Sequence, residues 1–455
     1  MKWWLYPEQP EPNRNGLPLL VTGTVMLVVI IICIGIQAVV WPENKHVDLS
    51  FFLRPVVFPF FLMLALINFV LIFENTVRHY YETRVYNEKV REYGLKQYAH
   101  MRLFLAGWST LSTLDEPALN MLKLEGEFPL SPKTPLTIPL EETFELTRNQ
   151  QIFNQLLTPL VDKLKASCNG FRACLWVRGG NESCSEELKY SLEKLNIPAT
   201  EISYLAECPG YTLLNEWMRS DYVIKRLLII IDMHEEDKPS KSMENATALL
   251  LTNSYGKVEG EKTIYIFRPI TDITDPEETI PVYLKTEQVK EPKTLWYTGL
   301  TKSQKYPLLK ILDDWKMATN RLELEGSFGS STEGYRWFAL ALAADGVKYA
   351  QGPQFIAAST DNKLSLVALS SKIPKALITK VNTSYRSPWE AGGMFGVCTM
   401  VTILIGLAAF APQVVEHMSG WLFIFIIVLP LFVGLTTGAV LTSIADNKAD
   451  QDMWL

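Results

Sequence analysis

Four long stretches of the chain lack any Asp, Glu, Lys, Arg or His, and they form two pairs near its two ends. They cover residues 17–41, 55–73, 391–412 and 420–445 of the 455-residue sequence. Each is close to or above the ~20 helical residues that cross the hydrocarbon core of a bilayer. Because transport and proton pathways usually keep an ionisable group inside the membrane, we interpret these helices as anchors.

The chain also lacks a basic excess, since 43 Lys and Arg stand against 49 Asp and Glu, for a net charge of −6. No global positive field is available to hold nucleic acid, so we expect no nucleic-acid partner. The partners that remain are membrane lipid, around the apolar helices, and other proteins.

None of the six cysteines forms a C-x-x-C pair. They are Cys33 and Cys398 in the apolar stretches and Cys168, Cys174, Cys184 and Cys208 between them. The last four are 6, 10 and 24 positions apart, a spacing unlike that of a zinc ribbon. We therefore predict no metal and no cofactor. Free thiols are expected, because disulfides need an oxidising compartment.

Lys and Arg cluster on one side of both helix pairs. The segment after the second apolar stretch carries Arg78, Arg84, Lys89, Arg91, Lys96 and Arg102, whereas the turn at 413–420 has none. Cytoplasmic loops carry the excess of Lys and Arg. The sequence therefore predicts a multi-pass protein of a bacterial inner membrane, with both termini and the central insert in the cytoplasm.

These features divide the chain into six parts. They are an interfacial N-terminal segment at 1–16, a transmembrane hairpin at 17–73, a juxtamembrane helix and Pro-rich linker at 74–148, a soluble domain at 149–385, a second hairpin at 386–445 and a tail at 446–455. The aromatic Trp3 is expected at the membrane interface. Gly434 and Gly438 form a small-xxx-small pattern, which favours close helix packing and leaves a dimer face as an alternative.

The soluble domain alternates helix and strand signals, which predicts an α/β fold with a mixed sheet. The near-continuous apolar run 226–232 is typical of a strand buried on both faces. The helical period of the juxtamembrane segment continues through Trp108, so we predict that the juxtamembrane helix extends at least that far. Two charged, Pro-containing stretches, 233–245 and 272–293, are interpreted as exposed loops.

Two motifs in this domain carry a family resemblance. In "ECPGYTLLNEWMRSDYVIKRLLIIIDMHE" (207–235) a cysteine precedes a helix and then an apolar strand, and "FGSSTEGYRWFALALAADG" (328–346) is a glycine-rich turn leading into a helix. Their order, over about 149–369, resembles the thiolase-like fold of β-ketoacyl synthases. In that family a nucleophilic cysteine begins a buried helix, and the resemblance places Cys208 there.

The resemblance also implies that the chemistry has been lost. The family has a histidine after the glycine of the late turn, but Ser330 follows Gly329 here. A serine hydroxyl is no base at neutral pH. Of the five histidines only His234 falls in the predicted α/β domain. Cys208, His234 and Ser330 are therefore vestigial candidates, and no residue is assigned a catalytic role.

Each candidate has two interpretations. Cys208 lies before Pro209, where a helix N-terminus would lower a thiol pKa, or it is a buried structural cysteine. His234 either assists the Cys208 thiol in acyl transfer or is a solvated loop residue beside acidic neighbours. The serines around Ser330 bind an anion through backbone N–H groups, or are an ordinary N-cap and turn. We expect the second interpretation in every case.

The leading hypothesis is a non-catalytic accessory or adaptor protein of the inner membrane, a pseudoenzyme whose soluble domain binds a protein partner. Its architecture is similar to that of accessory proteins associated with type VI secretion. One alternative is a membrane-bound acyl-transfer enzyme that uses Cys208, with His234 assisting. Another is a four-span immunity or channel-modulating protein that works through its helices.

Overall fold

The computed structural model describes residues 3–8, 18–42, 46–130, 132, 134, 136–141, 145–166, 170–197, 199–220, 225–235, 240–253, 262–375 and 387–453. Its contacts divide the chain into two units. The sheet-containing unit comprises Met1–Leu5 and Glu92–Leu377, and the helical unit comprises Tyr6–Arg91 and Ile378–Leu455. Each unit is treated by itself below.

The described residues form fifteen α-helices. These are α1 Leu19–Val40, α2 Leu49–Phe52, α3 Phe58–Ala99, α4 Pro117–Met121, α5 Arg148–Leu157, α6 Val161–Lys165, α7 Ser183–Lys194, α8 Thr212–Arg219, α9 Pro276–Lys285, α10 Lys302–Asp314, α11 Leu324–Phe328, α12 Tyr335–Lys348, α13 Pro388–Phe410, α14 Pro412–Glu416 and α15 Gly420–Asp452. A π-helical turn, Leu53–Val57, joins α2 to α3, and a 3₁₀ turn, Thr158–Leu160, joins α5 to α6.

Eleven strands in the described part form one sheet. They are β1 Arg102–Ser112, β2 Arg172–Val177, β3 Glu201–Tyr204, β4 Lys225–Asp232, β5 Asn245–Thr252, β6 Ile264–Phe267, β7 Ile270–Ile273, β8 Thr294–Thr298, β9 Asn320–Glu323, β10 Gln354–Thr360 and β11 Lys363–Ser370. Their order is β3-β2-β4-β5-β1-β6-β11-β10-β8-β9, and β7 pairs with β11. Parallel and antiparallel pairs are both present, which confirms the mixed α/β class.

The sheet repeats one topology. With β7 set aside, because it lies off the main strand order and pairs with β11, the strands of each half follow from either edge as third, second, fourth, fifth and first, and the two first strands, β1 and β6, pair antiparallel at the centre. In each half the fifth strand, β5 or β11, runs antiparallel to both of its neighbours. In each half the helix between the third and fourth strands of the half, α8 or α12, packs in the same central core. The sheet-containing unit is therefore an internal duplication.

Three apolar clusters set the layers. One lies between α5–α7 and the outer face of the first half, and another between α9–α10 and the outer face of the second half. The central cluster contains α8, α12 and inward-facing residues of both halves, such as Ile230 and Ile356. Alternate residues of β4 enter the central and outer clusters, as expected for a strand covered on both faces.

The first strand of the sheet begins well before the predicted domain boundary at 149. The juxtamembrane helix was predicted through Trp108, but α3 ends at Ala99 and β1 begins at Arg102. Successive β1 side chains alternate between buried and half-buried. A short alternating run directly after a helix is ambiguous by periodicity alone, and pairing with β5 and β6 decides it.

The stretch 272–293, expected as an exposed loop, contains helix α9. Asp275 caps it by accepting hydrogen bonds from the backbone N–H groups of Glu277 and Glu278, and Pro276 occupies its first position. Both are favourable at a helix start. Ile280 and Tyr283 are buried under the second half of the sheet. The acidic Asp275 and the proline Pro276, which suggested a loop, form the start of this helix.

Residues near both ends of the chain belong to larger packed elements. The Trp3 ring, expected at a membrane interface, packs against the rings of Tyr98 and Tyr283 in the sheet-containing unit, at centroid distances of 5.8 and 5.5 Å. The predicted tail at 446–455 is not separate, because α15 continues to Asp452. Packing a large aromatic ring against other rings is energetically more favourable than leaving it exposed to water.

Four helices of the described residues are long and apolar enough to cross a membrane: Leu20–Val40, Leu49–Ala99, Pro388–Phe410 and Gly420–Asp452. The last two pack through glycines. An added Cβ at Gly434 would lie 2.2 Å from the carbonyl oxygen of Gly392, and one at Gly438 would lie 2.6 Å from Trp389 Cα. The predicted small-residue face is therefore occupied within the chain, by α13.

This packing predicts that Gly434→Leu destabilises the helical unit by about 1–3 kcal/mol, the usual effect of forcing extra atoms into a close contact. Gly23→Leu is the matched control, because nothing lies within 4 Å of an added Cβ at that position. Thermal unfolding in detergent, followed by circular dichroism, measures both. Equal midpoints for the two variants would contradict the glycine contact.

Candidate functional site

Cys208 lies in the turn before α8, where the sequence placed it, and its side chain is buried. Its Sγ is 3.5 Å from the carbonyl oxygen of Glu333. Burial raises the pKa of the thiol to about 12, although the Arg336 guanidinium acts in the opposite direction. The thiol is protonated at neutral pH, so the geometry favours the structural interpretation over a helix-activated nucleophile.

The turn that carries Cys208 is held by the other central helix. The Tyr211 hydroxyl donates to the Arg336 carbonyl oxygen at 2.6 Å, and the Trp337 indole N–H donates to the Pro209 carbonyl oxygen at 2.7 Å. The Tyr211 and Trp337 rings meet edge to face, with centroids 5.4 Å apart. These reciprocal bonds hold together the starts of α8 and α12.

Asp232, the last residue of β4, closes the N-terminus of α12. Its Oδ2 accepts a hydrogen bond from Gly334 N at 2.8 Å, and its Oδ1 lies 2.8 Å from Arg178 Nε. The side chain of Asp232 is 2% exposed. A carboxylate is favoured at a helix N-terminus, so the chain itself supplies the anion that the serine-rich turn was considered to bind.

No serine caps this helix. The N-cap is Gly334, whose position leaves no room for a side chain, because an added Cβ would lie 2.6 Å from the Cβ of Asp232. Ser330 is exposed, and its backbone N–H donates to the Lys241 carbonyl oxygen. The N-cap expectation for the serines is wrong, since a carboxylate from another strand takes that role.

The glycine-rich turn around Gly329 packs through its backbone against the segment before β5. Gly329 has φ +89°, and an added Cβ would lie 2.0 Å from the Lys241 carbonyl oxygen. Tyr335 braces the contact, since its hydroxyl donates to the Phe328 carbonyl oxygen and accepts from Met243 N. Only glycine fits this combination of positive φ and close backbone approach. The glycines of the motif thus serve packing.

His234 is not a solvated loop residue, because its side chain is 6% exposed. Its Nε2 is 2.8 Å from the Ser242 carbonyl oxygen, and its Nδ1 is 3.7 Å from Glu244 Oε1. Glu244 is fully buried and also accepts hydrogen bonds from Ile138 N, His234 N and the Arg148 guanidinium. Glu244 therefore fixes the segment that contains His234, a role the sequence analysis missed.

Cys208 and His234 have different partners in the described part of the chain. The charges that most affect the pKa of the Cys208 thiol are those of Arg336, Glu333, Asp232 and Arg178. His234 instead has its ring nitrogens directed toward Ser242 and Glu244. Within the described ranges no three His, Cys, Asp or Glu side chains converge as a metal site.

The cysteines of the described part are free thiols. They are Cys33, Cys174, Cys184, Cys208 and Cys398. Cys168 lies outside the described residues.

A cavity of about 790 Å³ lies along β1, where the C-terminal end of α12 contributes to its lining. The Asp345 carboxylate accepts a hydrogen bond from the Trp108 indole N–H at 2.9 Å. Burial raises the pKa of Asp345 to about 6, although the bond from Trp108 opposes the shift. A perturbed carboxyl group in a cavity is a common feature of binding sites, and the sequence analysis did not find this one.

No protein-family model matches the sequence, and no curated protein matches it. Solved condensing-enzyme structures are similar to the chain at low identity. The ishigamide ketosynthase/chain length factor shares 12% identity, with 60% of this chain and 100% of that chain covered and a TM-score of 0.38. The AntDE:AntF complex of a type II ketosynthase and its acyl-carrier protein shares 9% identity, with 60% and 99% covered and a TM-score of 0.43. Cerulenin-bound OleA of Xanthomonas campestris shares 9% identity, with 59% and 96% covered and a TM-score of 0.38.

The class of protein follows from the structure itself. The chain combines an internally duplicated, mixed α/β sheet unit with apolar helices at both ends. The duplicated sheet and its two central helices fit the thiolase-like architecture that the sequence resembles.

Glu244→Ala is predicted to destabilise the protein by at least about 2 kcal/mol, because Ile138 N and His234 N lose a buried acceptor and each such loss costs about 1–3 kcal/mol. Glu201→Ala is the control, because its ion pair with Arg172 is more than half exposed on both sides and is worth less than about 1 kcal/mol. Guanidinium unfolding followed by tryptophan fluorescence measures both. Similar losses of unfolding free energy in the two variants would argue against Glu244 as the anchor of this segment.

Asp345→Asn is predicted to stabilise the protein at pH 7.5 but not at pH 4. The folded-state pKa of about 6 exceeds the usual aspartate value near 4. The contribution of the protonated carboxyl is therefore present below pH 4 and is lost as the pH rises through 6. Asparagine keeps an acceptor for Trp108 without the buried charge. Thermal midpoints measured from pH 4 to 8 test this, and a pH-independent difference between variant and parent would contradict it.

Proposed function

We propose that this protein is a membrane-anchored pseudoenzyme of the thiolase-like class, whose sheet-containing unit binds a protein partner and condenses no acyl groups. The observation that carries the proposal is the state of Cys208. A cysteine nucleophile acts as its thiolate, usually beside an imidazole that serves as base. Here burial raises the thiol pKa to about 12, and the imidazole of His234 is paired elsewhere, with its Nε2 2.8 Å from the Ser242 carbonyl oxygen.

The surroundings of Cys208 support the same proposal. In a condensing centre, donors must be left free to stabilise an oxyanion on the substrate. At the start of α12 the N–H of Gly334 already donates to Asp232, which is paired with Arg178. The starts of the two central helices are bonded to each other through Tyr211 and Trp337. These groups are used to hold the fold together.

The helical unit supports an anchoring role. Its four apolar helices are long enough to span a membrane, and the predicted spans carry no ionisable side chain. Two of them pack through paired glycines, which leaves little space between their backbones. We place the protein in a bacterial inner membrane with both termini and the soluble unit in the cytoplasm, because Lys and Arg cluster on that side of the spans.

The adaptor role is the functional part of the proposal. A unit of this size, tied to a membrane and lacking a reactive centre, retains the capacity to position another protein at the bilayer. The architecture is similar to that of accessory proteins associated with type VI secretion, and we propose that machinery as the setting. Acyl transfer through Cys208 is the competing function.

Labelling of the intact protein with a chloroacetyl thioester at pH 7.5 separates these functions. Under native conditions we expect Cys208 to react at least about a hundredfold more slowly than an exposed thiol, because a thiol with a raised pKa has little thiolate. Peptide mass spectrometry identifies the modified cysteine. Denatured protein, in which Cys208 becomes reactive, provides the reference for full labelling.

Ser330→Cys is the matched control, since it places an exposed thiol on the turn next to the same centre. We expect rapid labelling of residue 330 in this variant while Cys208 stays unmodified. Stoichiometric modification of native Cys208, with its thiolate displacing the chloride of the probe, would instead show a reactive thiol at this site; it would favour the acyl-transfer alternative and end the pseudoenzyme proposal.

A further inference from the structure

The helical unit contains a cavity of about 160 Å³ between α3 and α13. Its lining consists of three polar and three apolar side chains, which are Asn68, Asn75, Glu390, Leu71, Ala391 and Met394. The two helices pack against each other beside it, since the rings of Phe69 and Phe395 have centroids 5.6 Å apart. We name this space the α3–α13 cavity.

Asn75 contributes an unpartnered amide to the α3–α13 cavity. Its side chain is 6% exposed, and among the described residues that side chain makes no hydrogen bond. Buried polar groups almost always have a hydrogen-bond partner, and a buried amide without one is unfavourable. A group that enters the cavity is therefore expected to pair with Asn75.

Asn68 presents an oxygen atom in the same cavity. Its Nδ2 donates to the Leu64 carbonyl oxygen at 2.7 Å and lies 4.0 Å from Cys398 Sγ. Both contacts use the amide nitrogen, so Oδ1 accepts no hydrogen bond within the described part of the chain. Asn68 is 5% exposed, and it precedes Asn75 by about 10 Å along the helix axis. The cavity therefore offers oxygen acceptors along two turns of α3.

Glu390 supplies the charge of the cavity lining. It lies in the first turn of α13, where Ser387 caps the helix. Its carboxylate has no hydrogen bond or ion pair to another described residue, and no Lys, Arg or His is among the six residues that line the cavity. The Glu390 side chain is exposed, which gives an entrance at this end of the cavity.

The three oxygen donors define the chemistry of a ligand. Carboxylate and amide oxygens suit hard cations. One carboxylate and two neutral amides balance a single positive charge, whereas a divalent ion would leave an uncompensated charge beside apolar helices, which is unfavourable. A water molecule takes about 30 Å³ in the liquid, so the cavity has room for a small cation with several waters.

We propose that the α3–α13 cavity binds a monovalent cation through the side-chain oxygens of Asn68, Asn75 and Glu390. An alkali-metal ion and the primary ammonium of a lipid headgroup share this chemistry, and α3 and α13 belong to the helices that are long and apolar enough to cross a membrane. The bound cation joins these two helices and stabilises the helical unit. The site requires neither the adaptor role nor any reactivity of Cys208.

The first experiment measures the thermal midpoint of the intact, lipid-free protein in detergent. Choline chloride is exchanged for sodium or potassium chloride at constant ionic strength, because choline is too bulky for close coordination by side-chain oxygens. A ligand that binds only the folded state raises the midpoint with its concentration. We expect a rise of about 2 °C at ten times the dissociation constant. Equilibrium dialysis with radioactive sodium is expected to give one ion per chain.

A second experiment distinguishes the two sources of the cation. Phosphatidylethanolamine and phosphatidylcholine are added to the same micelles in choline chloride. The primary ammonium of phosphatidylethanolamine can donate hydrogen bonds to the three oxygens, whereas a quaternary ammonium has no N–H group. A rise in midpoint with phosphatidylethanolamine alone, without any response to alkali ions, identifies the headgroup as the ligand.

Glu390→Gln and Glu416→Gln are matched variants. Both residues are exposed glutamates of the helical unit, and only Glu390 lines the cavity. Neither change is expected to unfold the protein, because each replaces an exposed carboxylate by an amide of the same shape. We expect at least about tenfold weaker cation binding for Glu390→Gln, since the attraction between opposite charges is lost. Less than about a twofold change is expected for Glu416→Gln, which keeps that attraction.

Asn75→Asp tests the charge argument in the opposite direction. It keeps the shape of the side chain and adds a second carboxylate to the cavity lining. Calcium prefers several carboxylate oxygens, so the variant is expected to gain a rise in midpoint with calcium chloride that the parent protein lacks. No calcium response in a folded Asn75→Asp variant would show that this side chain does not face the bound ion.

Three results would overturn the cation site. The midpoint could be the same in choline, sodium and potassium chloride and also fail to distinguish the two lipids. Glu390→Gln could respond to cations as the parent protein does. The parent could respond to calcium but to no monovalent cation. Each result leaves the labelling of Cys208 unchanged, so the pseudoenzyme proposal keeps its own test.

Discussion

The burial of α12 is the constraint on which the sheet-containing unit depends. This helix lies between the two halves of the sheet, and nearly all of its side chains are inaccessible to water. A buried helix cannot leave its first N–H groups to solvent, so another part of the chain must accept their hydrogen bonds. Asp232 accepts the one from Gly334, and Arg178 balances the buried carboxylate. Gly334 is needed because the carboxylate approaches so closely.

The same constraint accounts for the surroundings of Cys208. The start of α12 faces the turn of Cys208, and bonds from Trp337 and Tyr211 tie the two together. Groups that are paired with each other, and sheltered from water, stabilise the fold. A buried thiol without a cationic partner at contact distance remains protonated.

Much of the fold could be predicted from local pattern, and the failures have physical causes. The apolar strand ending in Asp232 and the small-residue helix starting at Tyr335 were identified correctly, because their composition is typical of buried elements. Strand β1 was missed because a short alternating run directly follows a long helix. Helix α9 was missed because its capping Asp275 and Pro276 also favour turns. His234 was expected in solvent, since its neighbours in sequence are acidic.

The sequence by itself determined the four helices that are long and apolar enough to cross a membrane, the α/β class and the positions of Cys208 and Ser330, because these depend on composition, periodicity and order along the chain. Only the tertiary structure decided what those residues do. The pKa of Cys208 depends on its burial in the packed structure, and the cap of α12 comes from a residue about a hundred positions away. Each is a contact between segments distant in sequence, and no local pattern records such contacts.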